Sequence, residues 1–152
     1  MLYRKMPKNR DELSILGFGC MRLPLKDGKI DEERATRQIH YAIDQGVNYI
    51  DTAWPYHMGE SEPFLGRALA GGYREKVRLA TKLPSWIIET REDMDRILNA
   101  QLERLRTDHI DYYLVHGLVG TLWDKMEKLD VLGFLDRAKA DGRIVNAGFS
   151  FH

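Results

Sequence analysis

The stretch Tyr49-Ile50-Asp51-Thr52-Ala53-Trp54-Pro55-Tyr56-His57 decides how this chain is read. Its first half is a short apolar run suited to a buried strand, and its second half is a loop carrying a carboxylate, a phenol and an imidazole. Two later runs end in the same way. Val77-Arg78-Leu79-Ala80-Thr81-Lys82 stops on a lysine, and Ile110-Asp111-Tyr112-Tyr113-Leu114-Val115-His116 stops on a histidine. Asp51 and Lys82 are 31 residues apart, Lys82 and His116 are 34 apart, and a further 34 lead to Ser150 at the end of the run 144–150. Counting 31 back from Asp51 reaches Cys20, after Leu16-Gly17-Phe18-Gly19. One strand, one helix and two short loops fill that pitch. In parallel strand–helix repeats the carboxyl ends of the strands share one face, and active sites form there. Asp51, Tyr56, Lys82 and His116 are therefore expected to converge in space.

The segments between the strands read as helices. Asp31 is a suitable N-cap, Glu32 and Glu33 suit the positive end of a helix, Ala35, Ile39, Ala42 and Ile43 share one face, and Gly46 stops it. A second helix is expected over 61–70, with Pro63 in its first turn and Phe64, Leu65, Ala68 and Leu69 inward. Thr90 with Asp93 forms a capping-box pattern for a third, whose inner stripe is Met94, Ile97, Leu98, Leu102 and Leu105. A fourth falls within 121–140, with Gly133 as the point where it would divide. Residues 2–16 read as a hairpin turning at Pro7-Lys8-Asn9-Arg10-Asp11 and capping the far end of the sheet. Runs 47–53 and 110–116 are apolar on both faces, as in a parallel sheet covered on both sides. The expected fold is α/β of the (β/α)8 TIM-barrel type, cut short after five parallel strands and four helices. A full barrel takes roughly 250 residues. With no linker or low-complexity segment, residues 1–152 read as one partial barrel domain, 1–16 being the hairpin and 17–152 repeats one to five.

Composition narrows the class. The 23 Lys+Arg balance 23 Asp+Glu, which argues against nucleic acid or an acidic membrane surface as partner. No apolar run could span a bilayer, and Met1-Leu2-Tyr3-Arg4-Lys5 lacks a signal-peptide core. Cys20 is the only cysteine, so a reducing cytoplasm is the expected setting.

The convergent residues suit proton donation to a carbonyl. A free tyrosine, with its pKa near 10, is too weak an acid for efficient proton transfer at neutral pH. A neighbouring ammonium favours the phenolate, and a carboxylate keeps that ammonium charged and in place. Tyr56, Lys82 and Asp51 supply those three groups, and His116 can orient a carbonyl oxygen. None of them carries electrons, so reduction requires a hydride from a nicotinamide cofactor.

In order and spacing, Gly17-Phe18-Gly19-Cys20-Met21-Arg22, residues 49–56, Thr81-Lys82, residues 110–116 and Gly148-Phe149-Ser150 resemble the aldo-keto reductases over essentially the whole chain. The resemblance implies a (β/α)8 barrel that reduces aldehydes and ketones with NADPH or, in some members, NADH. It implies Tyr56 as general acid, Lys82 and Asp51 as the groups that tune it, and His116 as the group that positions the carbonyl. Met21, Arg22, Asp51 and Ser150 would face the nicotinamide, and Trp54, His57 and Trp86 would line the substrate mouth; no metal is implied. Many members follow the fifth strand with Ser-Asn, whereas Ser150 here precedes Phe151, as in a bacterial branch. That branch often carries an iron–sulfur segment after the barrel, which one cysteine could not hold.

Three other readings compete. One is a cofactor-binding regulatory subunit. Another is an inactive fragment of a longer reductase, whose open sheet edges would drive self-association or await a covering half. The last is a metal-dependent hydrolase using Asp51, His57, His116 and His152, which lacks paired ligands at metal spacing.

Overall fold

In the computed structural model, which describes residues 1–151, the chain begins with an antiparallel pair, β1 (Tyr3–Lys5) and β2 (Glu12–Ser14). The loop between them reaches the amino-terminal end of the main sheet. Asn9 donates to the Tyr112 hydroxyl at 2.9 Å and to Asn146 Oδ1 at 2.9 Å, and the Tyr112 hydroxyl donates to Asp11 at 2.8 Å. Strand β3 (Phe18–Gly19) is short and runs at once into a tight turn, Cys20–Arg22. A second hairpin follows, β4 (Leu25–Lys26) and β5 (Lys29–Ile30). Asp27 and Gly28 form its turn with φ of +52° and +77°, the left-handed pair that a two-residue hairpin loop requires.

From there strands and helices alternate: α1 (Glu32–Asp44), β6 (Tyr49–Asp51), α2 (Ser61–Ala68), β7 (Arg78–Leu83), α3 (Arg91–Leu105) and β8 (Ile110–Val115). After them come α4 (Gly120–Lys128), α5 (Val131–Ala140) and β9 (Ile144–Phe149). The main sheet is parallel throughout in the order β3-β6-β7-β8-β9, an arc of the barrel-type α/β fold. Asp31 caps α1 by accepting from the Arg34 N–H at 3.1 Å, and Thr90 with Asp93 closes a full capping box on α3.

The core lies between helices and sheet. Ala35, Ile39 and Ile43 of α1, Phe64 and Leu65 of α2, and Met94, Ile97, Leu98 and Leu105 of α3 are buried against Ile50, Leu79, Leu83 and Tyr113. Strand β7 is buried at every position after Arg78, as a central parallel strand covered on both faces is. Strand β9 differs: Val145, Ala147 and Phe149 alternate along one face and are exposed. No helix among the described residues is long and apolar enough to cross a membrane.

Among the described residues there are five α-helices, not four. The stretch 121–140 divides at Leu129–Asp130, where Asp130 adopts φ +62°, and α5 runs unbroken through Gly133. A short polar side chain tolerates the left-handed conformation that the break requires. The strand expected over 17–21 is cut to Phe18–Gly19 because Cys20–Arg22 coil into the turn.

Candidate active site

Asp51 is the last residue of β6, in register with Gly19 on one side and Ala80 on the other. Lys82 lies one strand over in β7, and the alternation of strand side chains turns both inward, at the carboxyl end of the sheet. The Lys82 ammonium donates to both Asp51 carboxylate oxygens, at 2.7 and 2.9 Å, and to the Thr52 carbonyl at 2.8 Å. Its fourth neighbour is the Tyr56 hydroxyl at 3.4 Å. His116 follows β8. Its backbone N–H donates to the Leu83 carbonyl at 2.9 Å, and its own carbonyl accepts from the Ser85 hydroxyl at 2.7 Å. The His116 ring stands edge-on to Tyr56 at 6.3 Å and to Trp86 at 5.1 Å between centroids. Acid, ammonium, phenol and imidazole thus meet at one end of three adjacent strands.

Nearby titratable groups are silenced by burial. The Cys20 thiol is pushed up to about 12, first by desolvation and then by the Asp51 charge, with Lys82 opposing. Tyr49, two residues before Asp51, is also raised by burial and then by Asp51. Of the phenols here, Tyr56 is the one with an ammonium in reach.

The loop that carries Tyr56 is bent. His57 and Met58 both take left-handed backbone conformations, at φ +53° and +57°, which cost roughly 1–2 kcal/mol each for non-glycine residues. The His57 ring is tied down: its Nε2 accepts from the Leu23 N–H at 3.1 Å, fastening the loop to the turn after β3. Met58 is almost fully exposed. Trp54 turns the other way and packs under the Arg104 guanidinium of α3, with Cζ 3.6 Å from the ring centroid. So Trp86 stands beside the four-residue group, while the Trp54 and His57 rings make their contacts with α3 and with Leu23.

At the end of β9, Ser150 clamps the loop after β8. Its Oγ accepts from the Gly117 N–H at 3.1 Å and its carbonyl accepts from the Leu118 N–H at 2.8 Å. Met21 and Arg22 are exposed on the turn after β3, the strand next to Asp51. Met21 and Phe151, which follow the carboxyl ends of β3 and β9, are both exposed. Among the described residues, no three His, Cys, Asp or Glu side chains are grouped to hold a metal ion. His152 of the hydrolase reading lies outside the described residues.

Behind the sheet the structure reveals a polar cluster: Glu62, Thr81, Gln101 and Tyr113, all buried. One signal for it is present in the sequence. Gln101 falls on the inner stripe of α3, between Leu98 and Leu105, where an apolar residue belongs.

The family model described as the aldo/keto reductase family matches residues 15–152. Protein tas of Escherichia coli K12 is 30% identical over 99% of this chain and 52% of its own length. Aldo-keto reductase YhdN of Bacillus subtilis is 39% identical over 76% of this chain and 38% of its own length. Among solved structures, the aldo-keto reductase AKR11C1 of Bacillus halodurans in its holo form superposes with a TM-score of 0.82 at 31% identity, over 99% of this chain and 50% of that one. The chain spans about half the length of the curated relatives it matches over almost its whole length.

Proposed function

The chain belongs to the aldo/keto reductase family, and from that membership we propose that it carries the acid–base half of an NAD(P)H-dependent reduction of aldehydes or ketones. The observation behind this reading is the placement of the Lys82 ammonium between Asp51 and the Tyr56 hydroxyl. A bound nicotinamide, held by Met21, Arg22, Asp51 and Ser150, would supply the hydride. The carbonyl oxygen takes its proton from Tyr56, positioned by His116. Lys82 stabilises the phenolate that remains, and Asp51 holds Lys82 there, so charge develops where an opposite charge is already in place. Trp86, against His116, offers an apolar wall to the substrate. A buried single cysteine fits a cytoplasmic setting.

Incubating the chain with NADPH, and separately with NADH, across a panel of aldehydes and ketones tests the reading. Loss of nicotinamide absorbance matched by alcohol formation supports it. A chain that binds cofactor without turnover is the regulatory or inactive form instead.

A further inference from the structure

Glu62 of α2 is fully buried on the helix side of the sheet, and the proposed chemistry does not use it. Its Oε1 accepts from the Thr81 hydroxyl at 2.6 Å and from Gln101 Nε2 at 2.7 Å, while Oε2 faces the Arg104 guanidinium at 3.4 Å. Two chains of contact lead from this carboxylate to the site.

The first reaches Lys82. Gln101 Nε2 also donates to the Lys82 backbone carbonyl at 3.0 Å, and Thr81 is the residue just before Lys82. The Tyr113 hydroxyl donates to Gln101 Oε1 at 2.8 Å, so the amide has one orientation. The second chain reaches Tyr56. Arg104 lies over the Trp54 ring at 3.6 Å, and only Pro55, whose φ is fixed by its ring, separates Trp54 from Tyr56.

Burying a carboxylate is expensive, and an apolar side chain would fill the space without that penalty. Desolvation does raise the Glu62 pKa, against the pull of Thr81, Gln101 and Arg104. What a hydrogen-bonded carboxylate supplies, and a leucine cannot, is a fixed direction for several partners at once. The site needs that. The Lys82–Tyr56 separation of 3.4 Å is at the outer limit of hydrogen bonding, and lysine hangs on a flexible four-carbon stem.

We propose that Glu62 is a positioning residue that sets both members of the Tyr56–Lys82 couple, Lys82 through Gln101 and Thr81, and Tyr56 through Arg104 and Trp54. This deepens the reductase reading and rests on it for its meaning, but the positioning is measurable without turnover. Two signals report it in the whole chain. One is proton exchange of the 15N-labelled Lys82 ammonium with water. The other is quenching of Trp54 fluorescence by acrylamide after Trp86 and Trp123 are replaced by phenylalanine.

Glu62→Gln is expected to move both signals, with Lys82 exchange faster by about five- to tenfold, the factor carried by one net hydrogen bond. Gln101→Met is expected to move the lysine signal alone, and Arg104→Met the tryptophan signal alone. Where reduction is measurable, kcat falls while KM changes little, because alignment and not binding is lost. A folded Glu62→Gln chain with both signals unmoved overturns the proposal. If that variant does not fold, the proposal falls when either single-chain variant leaves its own signal unmoved. Absence of turnover in the unmodified chain sinks the reductase reading and leaves these two signals as they are.

Discussion

Lys82 holds Asp51 by both carboxylate oxygens, at 2.7 and 2.9 Å, with the lysine side chain 7% exposed and the aspartate 28%. The ammonium is the more buried partner, so its charge is met by protein acceptors while the carboxylate keeps some water. Such a pair fixes geometry more than it adds stability, because desolvation offsets most of the attraction.

Breaking this pair from one side is expected to cost stability. Lys82→Met leaves Asp51 without its two donors and is expected to lower stability by roughly 1–3 kcal/mol. Asp51→Asn keeps an acceptor oxygen for Lys82 and costs less. The double variant is expected to cost less than the sum of the two, since they remove the same interaction. Urea denaturation of the four proteins measures this, and strict additivity would mean that the pair is not coupled.

Tyr56→Phe removes one oxygen and leaves the loop geometry to His57, Leu23 and Trp54. The fold is expected to persist by circular dichroism while carbonyl reduction drops by ~10²–10⁴-fold, the range of a lost general acid. Retention of a large part of the turnover would assign the proton to another group.

Stability is expected to depend on the protonation of Glu62. Burial raises its pKa above the ordinary 4.5, so the folded chain binds this proton more tightly than the unfolded chain. The resulting stabilisation is full below the unfolded value and is lost as pH rises through the folded one. Relative to Glu62→Gln, which cannot titrate, the unmodified chain is expected to lose stability as pH rises above 4.5 and through the folded value. Urea midpoints measured from acid to neutral pH read the difference, and a constant gap between the two proteins would refute it.

A Cβ on Gly66 would run into the Arg104 carbonyl oxygen and lie 2.8 Å from the Leu105 carbonyl carbon, both backbone atoms that cannot swing aside. Gly66→Ala is therefore expected to force α2 off α3 and to cost about 1–3 kcal/mol. Gly120, at the start of α4, has open space where an alanine methyl would stand, with nothing within 4 Å, so Gly120→Ala is expected to be neutral or slightly stabilising. Thermal melts of the two variants should separate clearly, and equal melting points would contradict the packing argument.

The outer edges of β3 and β9 pair with no strand among the described residues, and Val145, Phe149 and Phe151 are exposed beside the second edge. Open parallel edges flanked by apolar surface recruit partners. The chain is expected to self-associate with rising concentration in sedimentation. A stable monomer would show that the edges need no cover.

How much of this was legible in the sequence follows from which forces are local. The pitch from Asp51 to Lys82 to His116 placed the strands, and the Thr90–Asp93 pattern placed the start of α3, because hydrophobic periodicity and capping act over a few residues. The Asp27-Gly28 hairpin was not read from the sequence, although its signal is equally local and lies in the two turn residues themselves. The break at Asp130 was not legible, because many residues can take a single left-handed conformation and only the packing of α4 against α5 selects one. Nor could sequence spacing show that Trp54 turns to Arg104, that His57 turns to Leu23, or that Glu62 and Gln101 meet behind Lys82. Those contacts join residues between 34 and 50 positions apart, and they form only once strand register and helix rotation are set by the whole core. The sequence by itself determined a parallel strand–helix repeat with an acid, a lysine and a histidine at the strand ends. Only the tertiary structure decided which side chains hold them there, because those contacts depend on how separate elements are turned toward one another.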